Sequence, residues 1–167
     1  MAETIADFLV GIFRDKIPEE LIIFIISMFP VVELRGGMIA AKLLDVEFFR
    51  AFVICYLGNI LPIPFILLFI RRIFEFLKKF SATGKLVTKL EESSLRKSDK
   101  VKKGSRWGLL TFVAIPLPGT GGWTGALIAA LLDMRIKISF PVIALGVLIA
   151  NLIMSVVSYG LLGAIGL

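Results

Sequence analysis

Two charged residues, Glu33 and Arg35, lie in an otherwise apolar stretch near the start of the chain. A charge at membrane depth is costly and usually faces a protein interior or a water-filled path, which makes both residues candidates for function. Glu33 can bind a proton or a cation, and Arg35 carries a planar fork of donors that suits a phosphate or carboxylate. The alternative is that the two side chains neutralise each other as a structural ion pair.

The local sequence around this pair predicts its conformation. Residues two apart share one face of an extended segment but not of a helix. Pro30 precedes the pair, and Gly36 and Gly37 follow it. We therefore expect segment 29–37 to be extended, with Glu33 and Arg35 on the same side.

A second candidate segment, 116–125, reads Pro-Leu-Pro-Gly-Thr-Gly-Gly-Trp-Thr-Gly and has no ionisable side chain. Its glycines can turn successive N–H groups toward one point, and a helix beginning near Trp123 would add a positive amino terminus, so the segment favours an anion. The alternative is that the glycines only allow helices to pack closely.

The predicted site combines the two segments. Its substrate- or ion-binding residues are Glu33, Arg35, Gly36, Gly37, Pro118, Gly119, Thr120, Gly121, Gly122, Trp123 and Thr124. Its supporting residues are Pro30, Pro116, Asn59 and Asn151, the two asparagines being able either to hydrogen-bond the segments or only to pack.

Composition indicates an all-α integral membrane protein. Hydrophobic residues make up 57% of the chain and charged residues 19%, and the runs 51–70 and 138–167 contain no charge. A helix of about twenty apolar residues crosses a ~30 Å hydrocarbon layer. With a lone Cys55, no histidine and no nucleophile–base pair, we expect no metal, no cofactor and no enzymatic activity.

The chain contains an internal repeat at an offset of 88 residues. Nine residues between 30 and 58 are identical to their counterparts, among them the pairs Pro30 and Pro118, Gly37 and Gly125, and Asp45 and Asp133. Each repeat has two short apolar arms around a break, an acidic turn and one long span. Arms of this length reach about half of the hydrocarbon layer, which predicts re-entrant helical hairpins.

These patterns divide the chain into four regions. We expect an amphipathic interfacial helix at 1–20; repeat 1 at 21–70, with a re-entrant hairpin 21–44 and a transmembrane helix 48–70; a basic linker at 71–106; and repeat 2 at 107–167, with a re-entrant hairpin 107–132 and a transmembrane helix 138–165.

Charge predicts the orientation of these regions. The linker carries an excess of eight positive charges. Such an excess is typical of the cytoplasmic side of a plasma membrane protein, and we prefer this interpretation to nucleic-acid binding. If each repeat crosses once and each hairpin returns to its own side, the repeats are inverted and both termini lie outside. In the alternative, both hairpins cross fully, giving four helices, a parallel repeat and both termini inside.

The strings Glu-Leu-Arg-Gly (33–36) and Pro-Leu-Pro-Gly-Thr-Gly (116–121) resemble those of the small multidrug export protein family. That family is distantly similar to the DedA superfamily of membrane transporters. The resemblance implies a transporter with inverted repeats and re-entrant hairpins, and it suggests proton coupling and translocation of lipid-linked phosphates.

We therefore expect a multi-pass membrane transporter, coupled to protons or another ion, that moves a small or lipid-linked anionic substrate between the two tips near the midplane. Membrane lipids and a second copy of the chain are the expected partners. Export of small cations, with Glu33 as counter-ion, is one alternative. A non-transporting scaffold that acts through its basic linker is another.

Overall fold

The computed structural model describes residue 11, residues 17–98 and residues 105–160, and this part of the chain is helical without β-strands. The helices are α1 (Glu19–Met28), α2 (Glu33–Leu43), α3 (Phe48–Ile60), α4 (Ile63–Leu77), α5 (Ser81–Ser98), α6 (Arg106–Ala114), α7 (Gly122–Leu131) and α8 (Ile136–Tyr159). The all-α prediction is confirmed for these residues. The interfacial helix predicted at 1–20 lies, apart from its last residues and residue 11, outside them.

Two helical segments are long and apolar enough to cross a membrane. They are Phe48–Leu77, which comprises α3 and α4, and Ile136–Tyr159, which is α8. The remaining apolar helices come in pairs of about ten residues, α1 with α2 and α6 with α7, and each pair forms a helical hairpin. The short apolar arms predicted from the sequence are therefore helical.

The extended conformation predicted for segment 29–37 is wrong, because α2 already begins at Glu33. The amides of Glu33 and Gly36 donate to the carbonyls of Phe29 and Val32, at 2.8 and 3.1 Å, and start the helix directly after the turn. Gly37 lies inside α2, where a Cβ would come within 1.9 Å of the Ser27 hydroxyl. The glycines thus serve close packing between α1 and α2 and not an extended chain.

The transmembrane helix predicted at 48–70 differs from the structure in two ways. It is interrupted at residues 61–62, and its second part continues as α4 to Leu77. Pro62 explains the interruption, because proline has no N–H to donate and its ring obstructs the carbonyl one turn earlier. Two successive helices, α3 and α4, therefore replace one uniform span.

The last helix also ends earlier than predicted. Helix α8 begins at Ile136 and ends at Tyr159, because Gly160 takes a left-handed conformation with φ 61°. A left-handed glycine is a common helix terminator since it has no Cβ to strain the turn. The predicted extension over 161–165 lies outside the described residues.

The internal repeat recurs in the local geometry of the hairpin ends. Asp45 and Asp133 both have left-handed backbones, with φ 53° and 55°. In each turn the same three amides donate to the same three carbonyls at an offset of 88 residues, including Val46 to Ala41 at 3.0 Å and Met134 to Ala129 at 2.9 Å. This pattern closes a helix end and releases the chain into the next helix.

Ion pairs tie the open ends of the hairpins to different ends of the α3–α4 unit. Glu20, in the first turn of α1, lies 3.6 Å from Arg50, in the first turn of α3. Asp133, at the end of the second hairpin, pairs with Arg71 in α4. The open ends of the two hairpins are therefore separated along α3 and α4.

Glycines let the long helices approach the first arm of each hairpin. A Cβ on Gly58 of α3 would lie 2.8 Å from the carbonyl oxygen of Phe24, and one on Gly146 of α8 would lie 2.8 Å from Val113. These two glycines are counterparts in the repeat. The same small-residue packing therefore joins hairpin and long helix in both halves.

We predict that Gly58→Ala destabilises the protein. The added methyl meets a backbone carbonyl, which cannot rotate away, and such overpacking costs about 1–3 kcal/mol. The unfolding temperature in detergent, monitored through the loss of the monodisperse peak, measures the effect.

Gly11→Ala is the control for this experiment, because a Cβ at that position meets nothing within 4 Å. It should leave the unfolding temperature unchanged or raise it slightly. Equal unfolding temperatures for Gly58→Ala and the parent protein would contradict the proposed close packing.

Candidate substrate site between the hairpin tips

The tips of the two hairpins contact each other, and Glu33, Gly121 and Gly122 are buried at this contact. The first tip comprises residues 29–32 and the start of α2, and the second comprises residues 115–121 and the start of α7. Thr120 organises the second tip: its hydroxyl lies 2.7 Å from the carbonyl oxygen of Ile115 and accepts from the amide of Leu117 at 3.1 Å. A single threonine therefore folds the Pro-Leu-Pro-Gly string into a compact turn.

Two glycines of the second tip have backbone conformations that other residues rarely adopt. Gly119 has φ 81° and Gly121 has φ 121°. A Cβ on Gly121 would also lie only 2.1 Å from a carboxylate oxygen of Glu33. Gly121 thus combines a left-handed turn with the close approach of the first tip.

The carboxylate of Glu33 caps the amino terminus of α7. It accepts hydrogen bonds from the amides of Gly122 and Trp123, both at 3.2 Å, and only 3% of the residue is exposed. The first amides of a helix lack partners within it and carry partial positive charge. The sequence predicts an anion site at this helix terminus, and in the structure the terminus is capped by the protein's own Glu33.

Arg35 makes the reciprocal contact with the same tip. Its guanidinium donates to the carbonyl oxygens of Leu117 and Thr120, both at 2.5 Å. Within the described part of the chain, no ion pair joins Arg35 to Glu33. Each charge of the first tip is therefore hydrogen-bonded to backbone groups of the second tip.

Glu33 also departs from ordinary backbone geometry. Its φ of 51° lies in the left-handed region, which is uncommon for a residue with a side chain. Such a conformation persists only where the surroundings enforce it, and it concentrates at functional sites. Here the turn directs the carboxylate across to α7.

Asn59 of α3 lies against the same contact. Its amide nitrogen donates to the carbonyl of Ser27 at 3.4 Å, and a Cβ on Gly122 would lie 2.6 Å from its Oδ1. This oxygen is buried and has no hydrogen-bond partner. The gap between Glu33, Arg35 and Pro116 is too small to hold a water molecule. The Oδ1 of Asn59, an acceptor without a partner, therefore lies next to the buried contact between Glu33 and α7, where no space for a water molecule is left.

A cavity of about 360 Å³ opens on the other side of Arg35. It is lined by Pro30, Val31, Arg35, Pro118, Gly119, Thr120 and Thr124. The hydroxyl of Thr124 makes no hydrogen bond to any described residue. All of these residues except Val31 belong to the site predicted from the sequence. The cavity is lined by both repeats, including the equivalent prolines Pro30 and Pro118.

Other predicted site residues have different positions. The indole N–H of Trp123 donates to the carbonyl of Met28 at 3.0 Å, and its ring borders an apolar cavity of about 470 Å³ along α4. Gly36 and Gly37 pack inside the first hairpin and do not line the cavity. Asn151 donates to the carbonyl of Phe52 at 2.8 Å, so it joins α8 to α3 and does not reach the tips.

Sequence reasoning missed the backbone groups that complete the site. The carbonyls of Met28, Leu117 and Thr120 accept the bonds that connect the tips, and sequence does not reveal which carbonyls lack a partner in a turn. Two signals were available: a glycine-rich break leaves backbone groups unpaired, and an arginine is a strong donor for them.

We predict that Trp123→Phe lowers the free energy of unfolding by about 1 kcal/mol, because the carbonyl of Met28 loses its donor while most of the ring's packing is kept. Trp107→Phe is the matched control, since Trp107 is 77% exposed and should have almost no effect. Thermal unfolding of both variants in detergent tests this. If the two variants unfold at the same temperature, the hydrogen bond from Trp123 to the carbonyl of Met28 does not contribute to stability.

Comparison with known proteins places the chain in a family. Residues 33–153 match the family model described as "Putative small multi-drug export protein", which covers more than two thirds of the chain and begins at Glu33. No curated protein and no solved structure shows a detectable similarity to it. The match includes the first tip from Glu33 onward, the whole second tip, the segment Phe48–Leu77 and most of α8, and the chain therefore belongs to the small multidrug export protein family.

Proposed function

We propose that this protein is a membrane transporter that moves a small or lipid-linked anionic, phosphate-bearing substrate through the space between the two hairpin tips. The observation that carries the proposal is the cavity beside Arg35, which joins a guanidinium, a free threonine hydroxyl and glycine-rich backbone in one space. These are the groups that bind phosphate oxygens in proteins. The family description, which names export, supports transport in general.

The positions of the ion pairs support hairpins that enter a membrane from opposite sides. The rise from Arg50 to Arg71 along α3 and α4 is about 30 Å at 1.5 Å per residue, which matches the hydrocarbon layer. The first hairpin is linked by an ion pair to Arg50 and the second to Arg71, while the tips of the two hairpins contact each other. Re-entrant hairpins in an inverted repeat account for both facts.

In this proposal the basic linker faces the cytoplasm of a plasma membrane protein, and both termini lie outside. A homodimer, which would shield the hairpins from lipid, belongs to the same proposal. The four-span alternative would place both termini inside, so accessibility of tags at the two termini separates the arrangements.

Glu33 is proposed as the coupling residue. As a carboxylate it holds the first amides of α7, and an anionic substrate that reached these amides would have to replace it. Protonation removes its negative charge and weakens its attraction for the helix terminus. The unpartnered Oδ1 of Asn59 offers an acceptor for the carboxyl proton. Binding of a proton by Glu33 can therefore release the α7 terminus to the substrate.

Export of a small cationic compound is the second candidate. The observation that favours it is the apolar cavity of about 470 Å³ lined by Trp123 and side chains of α4, such as Phe65 and Phe69. Aromatic faces attract cations, and Glu33 would supply the counter-charge. The family description favours this candidate as well, because it names drug export.

We predict that Arg35→Ala abolishes transport of phosphate-bearing substrates, because the site loses its only cation. Proteoliposomes containing fluorescent anionic phospholipid report headgroup movement, and a cationic dye reports the alternative. Arg50→Ala removes an exposed arginine from the mouth of the first hairpin and should keep most of the activity. If Arg35→Ala moves the anionic lipid at the parent rate, the anion-site proposal fails.

We also predict that Glu33→Gln removes the response of transport to a pH gradient. Glutamine is permanently neutral and keeps one carbonyl oxygen, which can accept from the amide of Gly122 or of Trp123, so the variant retains one of the two bonds to α7. Glu20→Gln is the control, since Glu20 is 3.6 Å from exposed Arg50 and should leave the response intact. A pH-gradient response of parental size in Glu33→Gln would assign coupling to another residue.

A further inference from the structure

A basic groove lies at the corner between α4 and α5 and shares no lining residue with the cavity at the tips. It has a volume of about 810 Å³. Its lining residues include Lys78, Phe80, Lys85, Thr88, Lys89 and Glu92. Three lysines against one carboxylate give the groove a positive charge.

Two of these lysines are available to a ligand. Lys78 is engaged by Glu91 at 2.5 Å. Lys85 and Lys89, one turn apart on α5, take part in no ion pair among the residues described. Their ammonium groups therefore project from one face of the helix, and no described carboxylate lies within ion-pair distance of either group.

Apolar side chains lie exposed next to this cationic face. Leu86 and Leu90 of α5 are 60% and 45% exposed. At the end of α4, the rings of Phe76 and Phe80 stack edge to face with centroids 5.3 Å apart and are likewise exposed. A helix with a basic face beside bulky apolar residues is typical of a segment in the headgroup region of a membrane.

The corner that forms the groove is held by several contacts. The hydroxyl of Thr83 donates to the carbonyl of Leu77 at 2.7 Å, and the ion pair between Lys78 and Glu91 links the end of α4 to the middle of α5. A Cβ on Gly84 would lie 3.2 Å from the carbonyl of Lys78, so this glycine lets the two helices meet closely. The groove is therefore a fixed feature between two helices.

We infer that this groove binds the headgroup of an anionic phospholipid. Lys85 and Lys89 contact the phosphate, and Leu86, Leu90 and Phe76 lie among the upper acyl carbons. A lipid fits better than an acidic soluble protein, because α4 belongs to the apolar segment Phe48–Leu77 and the groove lies where that segment ends. Headgroups occupy this level of a bilayer, and anionic lipids attract basic segments there.

The test compares two charge-reversed variants of the full chain, each with the same change in net charge. Lys85→Glu with Lys89→Glu alters the groove. Arg135→Glu with Lys137→Glu alters two exposed cations that do not line it. Each protein is purified in detergent with a mixture of phosphatidylglycerol and phosphatidylcholine, and native mass spectrometry counts the lipids that stay bound.

We expect the groove variant to lose phosphatidylglycerol several-fold, with phosphatidylcholine unchanged, while the control variant retains the parental amount of both. Equal loss in the two variants would mean that general surface charge, and not a site, attracts the lipid. No loss in either would overturn the proposal. Binding of a polyglutamate peptide by the parent protein in preference to phosphatidylglycerol would assign the groove to an acidic protein partner.

Discussion

The contact between the Glu33 carboxylate and the amino terminus of α7 is the constraint on which the centre of the structure depends. A carboxylate that is almost fully buried needs strong partners, because transfer of a charge out of water is costly without them. The amides of Gly122 and Trp123 supply these partners, and the helix dipole adds a favourable field. The contact in turn requires the left-handed turns at Glu33 and Gly121, since only these bring the two groups together.

The first tip also supplies hydrogen-bond partners to the backbone of the second tip. A non-helical turn leaves backbone N–H and C=O groups without the partners that a helix would give them. Arg35 donates to two carbonyls of this turn, and Glu33 accepts from two amides that follow it. The first tip therefore contributes charges and the second contributes backbone dipoles, and each supplies the partners that the other lacks.

The sequence predicted the short helical arms because short apolar runs flank each proline- and glycine-containing break. The extended chain expected at residues 29–37 is wrong, because α2 begins at Glu33. In the structure, Gly36 and Gly37 lack side chains because α1 packs against that face of α2. Whether a glycine is needed for a turn or for a helix contact depends on a neighbour from another element, such as Ser27 beside Gly37. The residues adjacent to the glycine in the sequence do not reveal that neighbour.

The identity of the site residues was easier to predict than their partners. Glu33, Arg35 and Thr120 stand out because charged or hydroxylated residues are unusual in apolar segments. Their bonds cross from one repeat to the other and end mostly on backbone atoms, which are the same in every residue. Asn151 shows the limit of the approach, since it has the same type and setting as Asn59 but bonds α3 far from the tips.

The reciprocal bonding also limits how a ligand can enter. The space between Glu33 and Pro116 holds no water, so a ligand that reaches the α7 terminus must separate the tips or replace the carboxylate. Separation breaks the bonds of Glu33 and Arg35 to the same turn together, because both end within residues 117–123. An anion bound by Arg35 would compete with the carbonyls of Leu117 and Thr120 for the guanidinium and loosen this turn. In the transporter proposed above, ligand binding and movement of the tips would be linked through this one set of hydrogen bonds.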